Sequence, residues 1–308
     1  MSIILQVVAP VFLIIALGWA AARLRFVDQA GFRGLNTFTF SLGAPALLFL
    51  GGVTTPGGGG PAALAFFCGT AVLYAAALLV GRRGLGLALS PAGLFALNAS
   101  FGNTVMMGIP LVVASFGVQA MPVMLAILAL HSMVLLGTAT VVAEIGLHER
   151  APLPRVLWAT ARGVARNPIV MAVLLALVWR GIGLPAPPEV LRHTLEMLGA
   201  AAPPVALFCL GGSLLGFNAR AAWRETALVL GLKLLAMPAL VWAACWLLEV
   251  PAMDTAVAVL VAAMPTGANA FLLAQRYRVA AEASGAAVLL GTLLSVVTIS
   301  ALLVWLVP

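Results

Sequence analysis

PALLFLGG at residues 45–52 recurs as PVALFCLGG at residues 204–212, with an offset of 159 at the prolines and 160 at the last glycines. One inserted residue separates the two copies. Interior prolines in two other apolar runs, Pro110 and Pro265, stand 155 apart, so nearly the same register recovers a second pair of landmarks. Chance likeness between Leu/Ala/Gly-rich helices would not readily place both pairs at one spacing.

Working outward from these runs, apolar segments bounded by charges or Gly/Pro clusters fall near residues 3–22, 34–53, 62–81, 92–118 and 122–147, then 165–183, 190–216, 222–248, 253–275 and 283–307. A helix needs about 20 apolar residues to cross a bilayer, and runs of that order recur along the whole chain. The expected fold class is an all-α membrane protein with ten transmembrane helices. Five spans per repeat is an odd number, so the second repeat enters the membrane upside down, the arrangement of many secondary transporters. The expected domains are residues 1–147 as the first five-helix repeat, 148–164 as a short basic cytoplasmic linker containing Pro152 and Pro154, and 165–308 as the inverted second repeat.

Composition agrees with lipid as the main solvent. Of 308 residues, 63% are hydrophobic and 8% charged, with a mean hydropathy of +1.15. A soluble domain carries about 25% charged residues. The first segment lacks a basic leader and is followed by Arg23 and Arg25, so it reads as a retained span.

The formal charge of +7 is dispersed over short loops and lacks the basic helix that would point to nucleic acid, which is not an expected partner. It reads as topology. With the N-terminus outside, 13 of the 16 basic residues lie at cytoplasmic loops and helix ends: Arg23, Arg25, Arg33, Arg82, Arg83, Arg150, Arg155, Arg162, Arg166, Arg220, Arg224, Arg276 and Arg278. The positive-inside rule then sets both termini away from the cytoplasm, in a multi-pass protein of the inner (plasma) membrane.

Proline in a helix removes an N–H and clashes with the preceding turn. Breaks are therefore expected at Gly108-Ile109-Pro110 and at Met264-Pro265-Thr266-Gly267, near the membrane centre. Unwound backbone survives at that depth only where protein or a water-filled cavity satisfies it. The half-helices after the breaks would point their N-termini, each worth roughly half a positive charge, at the crossing. Such a place suits an anion. Candidate substrate-binding residues are Asn98, Asn103, Thr104, Gly108, Pro110, Pro265, Thr266 and Asn269, although helix-to-helix hydrogen bonding also explains isolated Asn and Thr residues in membrane bundles.

Lys233 is a charge deep inside a span, where Lys costs about 2.5–3.5 kcal/mol on the insertion scale. It is read as a coupling or charge-compensating cation, with an ammonium bonded to carbonyls freed at a helix break as the structural alternative. His131 is read as a hydrogen-bonded packing residue rather than a proton relay. Cys68, Cys209 and Cys245 stand singly and are read as packing residues, without disulfide or metal spacing. The glycine-rich run at residues 51–61 lacks the Lys-Ser/Thr of a phosphate loop and reads as a turn. No nucleophile with an adjacent base, metal motif or paired carboxylates stands out, so neither an enzyme nor a cofactor is expected.

NTVMMGIPLVVASFG at residues 103–117 resembles the fourth-helix signature of the auxin efflux carrier family, which includes the plant PIN-formed carriers and bacterial relatives. LNTFTFSLGAPALLF (35–49), RNPIVMAVLLALVW (166–179), PVALFCLGGSLL (204–215) and AMPTGANAFLLAQRYRV (263–279) extend the resemblance collinearly over nearly the whole chain. The resemblance implies two inverted five-helix repeats, a scaffold part and a transport part with helices crossed at Pro110 and Pro265, polar binding residues at Asn98 and Asn103, and a homodimer. It also implies transport of a small organic anion, whether auxin-like, a monocarboxylate or a dicarboxylate. The short central connection departs from the long hydrophilic loop of many plant members, so regulation through that loop is not carried over. A cation-coupled symporter of bile-acid-type substrates and a non-transporting membrane sensor are the competing expectations.

Overall fold

The computed structural model describes residues 9–54, 58–147, 168–216 and 222–306, so the expected linker at 148–164 lies outside the described residues. The described chain is almost wholly helical. In chain order the helices are α1 (Ala9–Arg23), α2 (Gln29–Thr54), α3 (Gly60–Gly84), α4 (Leu89–Ser100), α5 (Thr104–Phe116), α6 (Met121–Leu147), α7 (Pro168–Gly181), α8 (Glu189–Ser213), α9 (Trp223–Leu247), α10 (Ala252–Ala262), α11 (Ala268–Tyr277) and α12 (Ala281–Leu306). Eight of the ten apolar segments coincide with one helix each. The segments at 92–118 and 253–275 each resolve into two, α4 with α5 and α10 with α11. Among the described residues six helices, α2, α3, α6, α8, α9 and α12, are long and apolar enough to cross a membrane.

Large apolar side chains face outward, among them Leu13, Leu17, Val72, Leu175, Trp246 and Val297. A water-soluble surface does not carry apolar area on this scale. This is a multi-pass membrane protein. Cys209 and Cys245 are buried as packing residues, whereas Cys68 is exposed on α3.

Proline is absorbed in these helices by a change of pitch. Turns of π-helix occupy Thr39–Gly43, Thr104–Gly108 and Leu232–Ala236, and Pro45, Pro110 and Pro238 each follow two residues later. A proline ring collides with the carbonyl four residues back and offers that carbonyl no N–H. Widening the preceding turn to five-residue hydrogen bonds moves that carbonyl aside without ending the helix. Pro203 and Pro204 lie inside α8, which keeps α-helical pitch through them.

The helices pack in two groups. In one, α1 lies against α8, and α2 lies against α7 and α8. A Cβ on Gly18 would run into the Phe208 carbonyl, and one on Gly211 into the Ile15 carbonyl, so α1 and α8 meet backbone to backbone. Small residues permit this approach where no hydrophobic effect drives helices together. Phe49 meets Trp179 edge to face at 5.7 Å between ring centroids, joining α2 to α7. The other group contains α3 to α6 and α9 to α12, with α3 on α9, α4 on α3 and α6, and α12 beside α9 and α11. In it Gly69 of α3 sits on the backbone of Leu240 and Val241 of α9. The two groups meet where α8 touches the first turn of α5 and where α6 reaches α2 and α7.

Candidate functional site: the crossing of two interrupted helices

α4 ends at Ser100, and Phe101 turns the chain into extended backbone at φ −81°, ψ 109°. α10 ends at Ala262, and α11 begins only at Ala268. The two unwound stretches lie side by side as an antiparallel β-bridge between Gly102 and Thr266. Around it the Asn103 amide donates to the Pro265 carbonyl at 2.8 Å, and the Gly267 amide donates to the Phe101 carbonyl at 3.0 Å. Each break thus satisfies the polar backbone freed by the other, which permits non-helical chain among apolar helices.

The second break lies where the sequence placed it. The first does not. It falls at residues 101–103, upstream of Gly108 and Pro110, which lie inside the continuous helical run of α5. The reason is the π-turn: Gly108 donates to the Asn103 carbonyl and Ile109 to the Thr104 carbonyl, so Pro110 enters the helix without interrupting it. The sequence signal for the true break is Gly102-Asn103, a turn-forming pair directly after an apolar helix.

The side chains gather unevenly. Asn98, Asn103, Thr104 and Thr266 are all buried at the crossing. Thr266 donates through Oγ1 to the Asn98 carbonyl at 2.8 Å, and Asn98 donates through Nδ2 to the Ser284 hydroxyl at 2.7 Å, so both help tie α4, α11 and α12 together. Asn103, only 5% exposed, keeps an Nδ2 with no hydrogen-bond partner among the described residues, and Asn98 keeps an Oδ1 in the same condition. A Cβ on Gly108 would stand at ordinary contact with Met124 of α6, with Met264 across the crossing and with the Asn103 carbonyl of its own π-turn. Asn269 lies apart, exposed on the first turn of α11.

Charge is arranged by the helix ends. α5 and α11 start at the crossing and bring their positive N-terminal ends to it, while α4 and α10 finish there with their carbonyl ends. Lys233, in the π-turn of α9, is 1% exposed and donates from Nζ to the Ala262 carbonyl at 2.7 Å. Its ammonium therefore caps the C-terminal end of α10, the structural role named as the alternative to substrate contact. Gly102 is part of the same packing, since a Cβ there would lie 3.5 Å from that Nζ.

Sequence reasoning passed over Phe101, Gly102 and Ser284, which carry no signal apart from the Gly-Asn pair. It also expected His131 to be hydrogen-bonded. The imidazole is buried on the Phe101 ring, 4.6 Å between centroids, yet neither ring nitrogen has a partner among the described residues. Those residues hold no cluster of metal-ligating side chains.

The family described as "Membrane transport protein" matches residues 3–150 and 150–303. A protein of Rhizobium meliloti (strain 1021) named "Putative malonate transporter" is 30% identical over 312 residues, spanning 98% of this chain and 96% of that protein. Both relationships run the length of the chain and point to transport rather than catalysis. The chain belongs to the membrane transport protein family, the auxin efflux carrier family that its sequence runs resemble.

Proposed function

We propose that this transporter moves small organic anions, short mono- and dicarboxylates first among them, by alternating access at the crossing of α4–α5 with α10–α11. One observation carries the reading. Two helix N-termini converge on a buried crossing that also holds an unpartnered amide donor, Asn103 Nδ2. A carboxylate placed there would meet oriented N–H groups and a positive field in low dielectric, where each hydrogen bond to a charged acceptor is worth about 1.5–3 kcal/mol. The name of the Rhizobium meliloti relative supports a short dicarboxylate as the first probe.

In this reading the chain crosses the inner (plasma) membrane ten times as two inverted five-helix repeats, residues 1–147 and 165–308, joined by a cytoplasmic linker, with both termini outside. Support comes from the recurrence of PALLFLGG as PVALFCLGG and from the reciprocal hydrogen bonds at the bridge, which have local two-fold symmetry. The α1, α2, α7 and α8 group serves as scaffold and as the face for a homodimer, and the other group carries the crossing between the two sides. Asn103 and Thr104 bind the anion. Asn98, Thr266 and Pro265 hold the crossing in shape, Gly108 lines it beside Met264, and Lys233 compensates charge. Asn269 and Pro110 have weaker claims, one being exposed and the other set within a helix.

A cation-coupled symporter of bile-acid-type substrates has less support. A coupling cation needs oxygen ligands, and no Asp or Glu is buried among the described residues, while the Ala262 carbonyl already accepts from Lys233.

The test is a thermal-shift screen of the purified protein against carboxylates, neutral analogues and cations, with and without sodium. A ligand at 100 times its Kd stabilises the native state by about 2.7 kcal/mol. Malonate or a related carboxylate is expected to raise the melting temperature. Shifts by neutral or cationic compounds alone would overturn the anion reading.

A further inference from the structure

His131, on α6, is 1% exposed, with its ring between those of Phe66 and Phe101 at centroid distances of 5.9 and 4.6 Å. Neither Nδ1 nor Nε2 has a hydrogen-bond partner among the described residues. A side chain kept only to fill the space between two phenylalanines has no need of nitrogens, and an unsatisfied buried donor costs about 1–3 kcal/mol. Native proteins pair nearly all such groups. The unpaired imidazole therefore points to a partner that arrives with the substrate.

Its position says which substrate. Phe101, beneath the imidazole, closes the crossing by accepting from Gly267, and Asn103 with its own unpartnered Nδ2 follows two residues later. Lys233, a cation, brings its Nζ to the same crossing, bonded to the Ala262 carbonyl and beside Gly102, the residue after Phe101. Two orphan donors near a fixed positive charge and a pair of helix N-termini suit an acceptor-rich anion, and a carboxylate offers about four lone-pair positions.

We propose that His131 is a further substrate-binding residue, donating a ring N–H to a carboxylate oxygen of the transported anion while Asn103 donates to the same anion. This rests on the anion-carrier reading and adds a donor from α6, outside both interrupted segments. It favours substrates with a second oxygen-bearing end, because donors on two different elements are then engaged at once.

The experiment uses full-length protein in lipid nanodiscs, with malonate and acetate as probes in thermal-shift titrations of wild type, His131→Phe and His131→Gln. His131→Phe fills the same aromatic slot without nitrogens, so its melting temperature is expected to equal or exceed that of wild type. Its malonate affinity is expected to fall about 10- to 100-fold, the loss of one hydrogen bond to a charged group. His131→Gln keeps an N–H and is expected to recover part of that loss. Wild-type malonate affinity in His131→Phe would overturn the proposal and leave the anion-carrier reading standing. If no carboxylate shifts the wild type, both fall together. A measurement independent of the variants is the nitrogen chemical shift of His131 in histidine-labelled wild type, expected to move on malonate addition. A resonance unmoved at saturating malonate would also overturn the proposal.

Discussion

The ammonium nitrogen of Lys233 lies 2.7 Å from the carbonyl oxygen of Ala262, the last residue of α10. The final carbonyls of a helix have no partner within it and carry about half a negative charge. In a buried break neither defect is relieved by water. The long stem of Lys233, entering from a π-turn one helix away, supplies both a donor and a compensating charge. Lys233→Met is therefore expected to lower stability by about 1–3 kcal/mol through the unsatisfied carbonyl it leaves. Denaturant unfolding in detergent reads this directly. An unchanged or raised midpoint would mean that burying the ammonium costs more than its bond returns.

Asn103 differs from its neighbours because its backbone and side chain have separate duties. The amide holds the bridge to Pro265, and the carboxamide Nδ2 holds nothing among the described residues. Asn103→Ala keeps the first and deletes the second. The variant is expected to unfold within about 0.5 kcal/mol of wild type, as substitutions that break no native contact do. Its carboxylate affinity is expected to fall about tenfold or more, one hydrogen bond to a charged acceptor. Titration of the thermal shift with malonate separates the two quantities, and retained affinity would remove Asn103 from the site.

Much of this was legible in the sequence, for identifiable reasons. Apolar run length gave the helices, because lipid permits few other ways to satisfy a backbone. Pro265 marked the second break correctly: it lies in the unwound stretch between α10 and α11, flanked by Thr266 and Gly267. Pro110 marked the first break wrongly. A proline shows where a helix is under strain, but whether the strain ends the helix or widens one turn depends on the partner across the gap. That partner, residues 265–267, lies in the other half of the chain. The unpaired state of His131 was hidden for a similar reason: its neighbours Phe66 and Phe101 come from α3 and from the unwound stretch after α4.

The two glycines of the crossing make a graded test of how tightly the strands are held. A Cβ on Gly102 would stand at ordinary contact, 3.5 Å from Lys233 Nζ and Met264 Cβ. A Cβ on Gly267 would stand 2.8 Å from the Phe101 ring and 3.0 Å from the Gly102 carbonyl. Gly102→Ala is expected to fold with near-native stability. Gly267→Ala must push the strands apart and is expected to cost about 1–3 kcal/mol, as overpacking does. Thermal unfolding of the two variants side by side decides it, and equal behaviour would mean the crossing is looser than its hydrogen bonds imply.

Orientation in the membrane follows from how α3 meets α9. Gly69 of α3 touches Leu240 and Val241 of α9, and Thr70, one residue further along α3, reaches Met237, further back along α9. The two helices therefore run antiparallel, which brings Arg82 and Arg83 at the end of α3 to the same side as Arg224 at the start of α9. The acidic Glu249 and Asp254 lie beyond the opposite end of α9. Basic residues stay with the cytoplasmic face, so the arginine side is expected to be inside and the Glu249 turn outside. In a Cys68→Ser background, Arg83→Cys and Glu249→Cys both place a thiol at an exposed position. An impermeant maleimide added to intact spheroplasts is expected to label Glu249→Cys, and to label Arg83→Cys only after lysis. The reverse pattern would invert the proposed topology and, with it, the side from which α5 and α11 present their N-termini to the anion.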